Sequence, residues 1–295
     1  MEQITVRVPA TTANLAAGFD VLGCALTLYN TLTFRLQDGL SFSGCDEAYQ
    51  SPENLAYQGF SCVYAHIGQE VPGVHIQIQA DIPVSRGLGS SAALLAAGAY
   101  AANLLGGAGL STDTLIALTT RIEGHPDNLA PAFYGGLTAS MLEDGQVYTV
   151  RYTPHPSLRF VALSPDFPLS THAARSVLPA AVPFRDAVYN GAHLAVLLRA
   201  LENGDMTQIS AALRDRLHQP YRMPLIDEYE DIRRVALEKG CAAVCISGAG
   251  PTILCLTQNP GFAAAMTAAT AELRHRWQVR DLAVDSVGAQ GILFK

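Results

Sequence analysis

The clearest chemistry in this sequence lies in eleven residues, Pro83-Val84-Ser85-Arg86-Gly87-Leu88-Gly89-Ser90-Ser91-Ala92-Ala93. Gly87 and Gly89 permit positive φ and let the backbone approach a ligand closely. The loop opens an apolar helix at about Ser90, so unpaired N–H groups meet the positive end of a helix dipole there. Such a site binds an anion without any lysine. The hydroxyls of Ser90 and Ser91 suit phosphate or Mg²⁺. The same residues also fit a plain Gly-Ser turn capping a core helix, because a glycine-rich loop alone is a weak signal.

Further polar clusters stand out. Glu123-Gly-His125-Pro-Asp127-Asn128 puts four polar side chains into six residues after an apolar helix. That mix suits Mg²⁺ and a polar substrate, and it also fits a solvated helix end stopped by Pro126. Asn14 and Asp20 leave a strand in a loop with Gly18, a setting for substrate contact or for a simple Asx-turn. Thr171 and Arg175 fall in Ser170-Thr-His-Ala-Ala-Arg175, and Arg222 in Gln219-Pro-Tyr-Arg222. Two guanidinium forks converging on one pocket suit a carboxylate, whereas a single arginine is usually a surface charge. Ser247-Gly-Ala-Gly-Pro-Thr252 lines a site or makes a tight strand–strand turn.

Composition narrows the chemistry. The 295 residues carry 19 Lys plus Arg against 26 Asp plus Glu, a net charge of −7. Only Lys239 and Lys295 are lysines, so the remaining 19 − 2 = 17 basic residues are arginines. Neither lysine sits in a P-loop or in a protein-kinase V-A-I-K context. Any phosphate must therefore be held by backbone amides, a helix terminus, a metal or arginine. Net acidity excludes nucleic acid as the main partner. With 49% hydrophobic and 15% charged residues the chain is globular. The six cysteines have no second Cys/His pair at zinc spacing and read as apolar thiols of a reduced protein. Residues 87–111 lack charge, but Ser90, Ser91, Asn103 and a glycine cluster interrupt them, so a buried helix rather than a membrane span is expected. MEQITVRVPA reads as a strand, not a signal peptide. A cytoplasmic location follows as an expectation.

Elements must position these residues. Ile4, Val6 and Val8 alternate with polar neighbours, as do Thr31–Leu36 and Val74–Ile82, which predicts three strands. Helices are expected from Ser90 and from Thr112 to about Ile122, with Ser111 as N-cap. Glu143-Asp-Gly145 predicts a hairpin between 136–142 and 146–152. The second half reads as a strand at 159–164, helices near 170–178, 186–202, 206–217 and 226–239, then strands at 241–246 and 252–256. A helix from Pro260 to about Arg276 and strands at 279–286 and 289–294 complete an α+β pattern. Prolines near Thr153–Ser157 mark a boundary between units 1–154 and 155–295.

The Pro83–Ala93 block resembles the phosphate-loop signature P-x-x-x-G-L-G-S-S-A-A of the GHMP kinases across all eleven positions. Pro9–Asp20, Glu123–Asn128 and Ser51-Pro-Glu-Asn54-Leu resemble blocks of the homoserine kinase branch, with Ala16 and Ala17 where the branch has Gly-Pro. Ser170–Arg175, Gln219–Arg222 and Ser247–Thr252 follow in the family's order. The resemblance implies an N-terminal α+β domain, a C-terminal ferredoxin-like α/β sandwich, and a site between them. It implies ATP on residues 83–93 with Asn54 at the adenine, and Mg²⁺ on Ser91 and Glu123. For an L-homoserine substrate it implies Arg175 and Arg222 at the carboxylate, Asp20 at the ammonium, Thr171 nearby, and Asn14, His125 and Asn128 at the hydroxyl. Asn128 cannot be a general base; either Asp127 or His125 takes the proton or no protein residue does, and the resemblance implies transfer without a dedicated base. The family also suggests a homodimer.

Overall fold

Alternation of Ile4, Val6 and Val8, all fully buried, makes the first strand of a large sheet. The computed structural model describes residues 2–294. In chain order the first unit runs β1 (Gln3–Ala13), β2 (Leu22–Leu36), β3 (Leu40–Ser43), α1 (Leu55–His66), β4 (Val74–Ala80), α2 (Ser90–Leu105), α3 (Thr112–Glu123), α4 (Leu129–Tyr134), β5 (Leu137–Glu143) and β6 (Gln146–Tyr152). Its sheet orders the strands β1-β2-β4-β3, with β5 and β6 attached through the first residues of β2. Ser111 caps α3 through its side chain, and Asp144-Gly145 turns the β5–β6 hairpin. Helices α1 and α2 cover one face of the sheet in a continuous apolar core.

The second unit comprises β7 (Arg159–Pro165), α5 (Thr171–Ser176), α6 (Phe184–Asn203), α7 (Met206–Ala212), α8 (Gln219–Arg222), α9 (Tyr229–Glu238), β8 (Ala243–Ile246), β9 (Ile253–Thr257), α10 (Phe262–Ala269) and β10 (Trp277–Leu282). Its antiparallel sheet has the order β10-β7-β9-β8, which is the 4-1-3-2 order of a ferredoxin-like sandwich. Helices α9 and α10 pack on one face with Val161, Leu163 and Trp277. Helices α6 and α7 cover the other, where Phe160, Leu197 and Leu201 join the core of the first unit.

The last strand, β11 (Gln290–Phe294), departs from a division at residue 154, because it pairs antiparallel with β1 in the first sheet. The strand expected at 279–286 divides between sheets. It leaves β7 after Leu282 and then bonds to β2 through Ala283, Val284 and Asp285. The helix expected over 206–217 stops at Ala212, because the Asp215 carboxylate takes the amides of Leu217, His218 and Gln219 and starts α8. The helix expected to Arg276 stops at Ala269, and Glu228 takes the amides of Arg274 and His275 beyond it.

The helix that carries Ser90 and Ser91 touches α1 backbone to backbone. A Cβ on Gly98 of α2 would lie 1.9 Å from the Ala56 carbonyl oxygen, and one on Gly59 would lie 2.2 Å from that of Leu95. Gly191 in α6 faces open space. Gly98→Ala is expected to lower the unfolding free energy by roughly 2–3 kcal/mol through overpacking. Gly191→Ala is expected to raise it by up to about 1 kcal/mol through helix propensity. Urea denaturation of the two variants checks both signs.

Candidate active site

Between β4 and α2 the chain turns through left-handed backbone at Gly87 (φ 73°) and Gly89 (φ 69°). Neither position admits a side chain. A Cβ at Gly87 would lie 2.3 Å from the Ser247 carbonyl oxygen, and one at Gly89 would lie 1.9 Å from Thr11 Oγ1. No side chain caps α2. Among the described residues the amides of 87–91 donate to no other group. Free amides at the start of a 16-residue helix, with its dipole behind them, form an anion cradle.

The loop is held from the second unit. Ser247, in the β8–β9 turn, donates its hydroxyl to the Gly87 carbonyl (2.6 Å) and lies 2.8 Å from Thr12 Oγ1. The Thr252 amide bonds to the Arg86 carbonyl. Thus Ser247–Thr252 is both a strand turn and a wall of the site. The Arg86 guanidinium reaches away from the cradle to the carbonyls of Pro165 (2.9 Å) and Asp166 (3.0 Å), tying the loop to the end of β7.

Beside the cradle, Ser91 Oγ donates to Glu123 Oε2 at 2.5 Å. A hydroxyl and a carboxylate in contact fit a small hard cation, which takes one or two protein oxygens and completes its shell with phosphate and water. His125 Nδ1 lies 2.6 Å from Asp127 Oδ1. Burial draws the His125 pKa down, but the bond to Asp127 and the charges of Asp127, Glu123 and Asp20 outweigh it and leave the ring more basic than usual. Asn128 Oδ1 accepts from Thr11 Oγ1 at 2.8 Å, so its oxygen is already engaged.

The opposite wall is an unusual turn. Asn14, Leu15 and Ala16 all have positive φ (72°, 40° and 60°), as does Asp20 (56°). Asn14 Nδ2 donates to the Gly248 carbonyl (2.7 Å), and its Oδ1 accepts the Asp20 amide (3.0 Å). Asp20 then meets Arg175 in a two-pronged pair at 3.0 and 2.8 Å. Arg222 lies behind, 1% exposed, bonded to the carbonyls of Ala174 and Gly248. Burial, and then the neighbouring Arg175, lower its pKa.

One cavity of about 450 Å³ collects these groups. All residues given ATP, Mg²⁺ or substrate roles from the sequence line it except Pro83, Leu88, Ala92 and Ala93. Leu88, Ala92 and Ala93 are fully buried core side chains beneath the loop. Asn54 lines the cavity but spends its side chain locally, accepting from Ala56 N as the N-cap of α1 and donating to the Tyr49 carbonyl.

Two stretches of the chain match family models, residues 54–136 the GHMP kinases N terminal domain and residues 197–272 the GHMP kinases C terminal. The chain is 44% identical to the homoserine kinase of Nostoc punctiforme and 40% identical to that of Clostridium botulinum strain Okra, covering 97% of both chains in each pair. The chain belongs to the homoserine kinase branch of the GHMP kinases. Its fold also matches the crystal structure of homoserine kinase from Cytophaga hutchinsonii, with a TM-score of 0.89 and 28% identity over 98% of this chain and 97% of that one. A GHMP kinase uses ATP as co-substrate and acts on a small molecule.

Residues that sequence reasoning passed over support this GHMP kinase site from beneath. Asp215, its side chain fully buried, accepts three backbone amides and Asn190 Nδ2 (2.7 Å). His218 lies 3.0 Å from the Ala16 carbonyl through Nε2 and 3.4 Å from Arg222 Nη1 through Nδ1, which fixes a neutral ring with the proton on Nε2. It stacks on Phe19 at 4.9 Å. The one sequence signal for them was Pro220 following Asp215, a capped helix start.

Burial pushes the His218 pKa down to about 4; Arg222 adds to the shift and Asp215 opposes it. An unfolded histidine titrates near 6.5. Below that pH the unfolded chain binds a proton that the folded chain refuses, so stability falls with falling pH between about 6.5 and 4. The loss from this ring is about 3 kcal/mol across the window. Urea denaturation from pH 7 to pH 4 is expected to show that slope, flattened in His218→Gln.

Proposed function

We propose that this chain transfers the γ-phosphoryl group of ATP to the side-chain hydroxyl of L-homoserine, with Mg²⁺ accompanying the phosphates, as a step of threonine biosynthesis. The observation that carries this reading is the Asp20–Arg175 pair, backed by Arg222 and lining the same cavity as the free loop amides. A carboxylate beside guanidinium groups complements the ammonium and carboxylate of an α-amino acid. A sugar or mevalonate carries no such pair of charges. The names of the relatives support the same substrate.

Phosphoryl transfer is mainly positioning and charge stabilisation. The amides of residues 87–91 hold the phosphates. Ser91 and Glu123 would hold Mg²⁺, which supplies positive charge against the transferring group. Arg175 and Arg222 take the substrate carboxylate, and Asp20 takes its ammonium. Thr171, on the lip of the cavity, lies one helical turn from Arg175 and adds a hydroxyl beside the carboxylate subsite. Asn14, His125 and Asn128 orient the hydroxyl. Asn128 is an amide whose oxygen is bonded to Thr11, and His125 is paired to Asp127. The Asn128 amide is no base, and in this reading the hydroxyl proton passes to a phosphate oxygen rather than to His125, as a loose transition state permits.

A coupled ADP-release assay over homoserine, mevalonate, shikimate and galactose is expected to show turnover with homoserine; no turnover with it would overturn the reading. In that assay Arg175→Ala should raise the homoserine KM by about 10–100-fold, the loss of a charged hydrogen bond, with little change in the ATP KM. Asn128→Asp should lower kcat. A several-fold rise would mean that a protein base was missing after all.

A further inference from the structure

Arg86 is the one cation in the phosphate loop, yet its guanidinium bonds to carbonyls, not to the anion cradle. Nε donates to the Pro165 carbonyl (2.9 Å), Nη2 to that of Asp166 (3.0 Å) and Nη1 to that of Val84 (3.1 Å). Beside it the Leu169 amide donates to the Ser85 carbonyl at 3.2 Å. Three bonds thus fasten the loop to residues 165–169, the stretch that runs from β7 into α5. Phe167 and Leu169 seat that stretch against the core of the second unit. Arg86 belongs to the first unit, so its fork crosses the boundary between the two.

What this fork holds is the approach to α5. That helix is six residues long and buries only Ala174. With so little packing of its own, it is located by the bonds at its ends. The Ala174 carbonyl accepts from Arg222 Nε at 3.0 Å, and residues 165–169 fix where the helix begins. α5 carries Thr171 and also Arg175, which meets Asp20 across the cavity. Phosphates seated on the amides of residues 87–91 would hold the loop, and through Arg86 and Ser85 the loop would hold α5. The cost of ordering a shared element falls on the ligand that binds first, so the second binds more tightly. The cradle has other anchors, the Ser247 hydroxyl on the Gly87 carbonyl and the Thr252 amide on the Arg86 carbonyl. Removing the guanidinium therefore cuts the link and leaves the cradle in place.

We propose that Arg86 is a positioning residue that couples the phosphate subsite to the amino-acid subsite, so that nucleotide and homoserine each tighten the binding of the other. The inference rests on the kinase reading of this cavity and deepens it. The test is calorimetry on the full chain with homoserine, Mg²⁺ and the unreactive β,γ-imido analogue of ATP. The homoserine Kd is expected to fall about fivefold or more when the analogue is bound, and the analogue Kd to fall by the same factor with homoserine bound. In Arg86→Gln that factor should drop to within twofold of one. Arg86→Lys keeps the charge but not the planar fork, and its factor should also stay within twofold of one. In wild-type protein labelled with ¹⁵N-arginine, the Arg86 Nε–H signal should move when homoserine alone is added, a readout independent of how the variants fold. A wild-type factor within twofold of one, an undiminished factor in Arg86→Gln, or a stationary Arg86 signal would each overturn the assignment. A full factor in Arg86→Lys would do so as well, by giving the effect to charge rather than to the fork. Failure of the wild-type chain to bind homoserine or the analogue at all would overturn the kinase reading instead.

Discussion

The site depends on one strained turn. Three successive residues with side chains, Asn14, Leu15 and Ala16, adopt left-handed backbone, a conformation that costs about 1–2 kcal/mol for each. It persists because its surroundings overdetermine it. The Gly248 carbonyl takes Asn14 Nδ2, His218 takes the Ala16 carbonyl, and Asp215 anchors the segment that carries His218. Every one of these clamps comes from the second unit, while the turn belongs to the first. The direction of Asp20 is therefore a property of the interface between two sheets, not of either sheet alone.

Four side-chain pairs at the site are already bonded to one another. Ser91 bonds to Glu123, Asp20 to Arg175, His125 to Asp127, and Thr11 to Asn128. A ligand entering such a site exchanges partners with charges already oriented, which limits the reorganisation needed at the moment of reaction. The scarcity of lysine costs nothing here. Positive potential comes from free amides at the start of α2, from two arginines on the opposite wall, and from a histidine made more basic by its carboxylate neighbours.

Much of this was legible in the sequence, because the signals were local. Alternation in β1, the Glu-Asp-Gly hairpin, the Ser111 cap and the glycines of the loop each state a backbone requirement within a few residues. What was not legible depends on distant contacts. Nothing within Gln290–Phe294 says that it pairs with β1 rather than with its sequence neighbours. Asp215 and His218 look like surface residues until burial and their partners are seen. Arg86 lies in the phosphate loop yet serves as a tie to β7, and Asn54 serves its own helix. Asn30 reads as one more polar position in an alternating strand. Only the structure shows the donor left over once Ile82 has been satisfied.

The return of β11 to β1 has a consequence for how the chain is made. Among the described strands β1 leaves the ribosome first, and β11 is emitted after the whole second sheet. At about 5–20 residues per second, roughly 15–60 s separate them. During that interval one side of β1 is an open ladder of amides and carbonyls on a strand rich in buried apolar residues, the kind of edge that recruits other chains. The first sheet thus stays unsealed from the synthesis of β1 until that of β11. How long that edge stays open is set by the rate of translation, not by the stability of the finished fold.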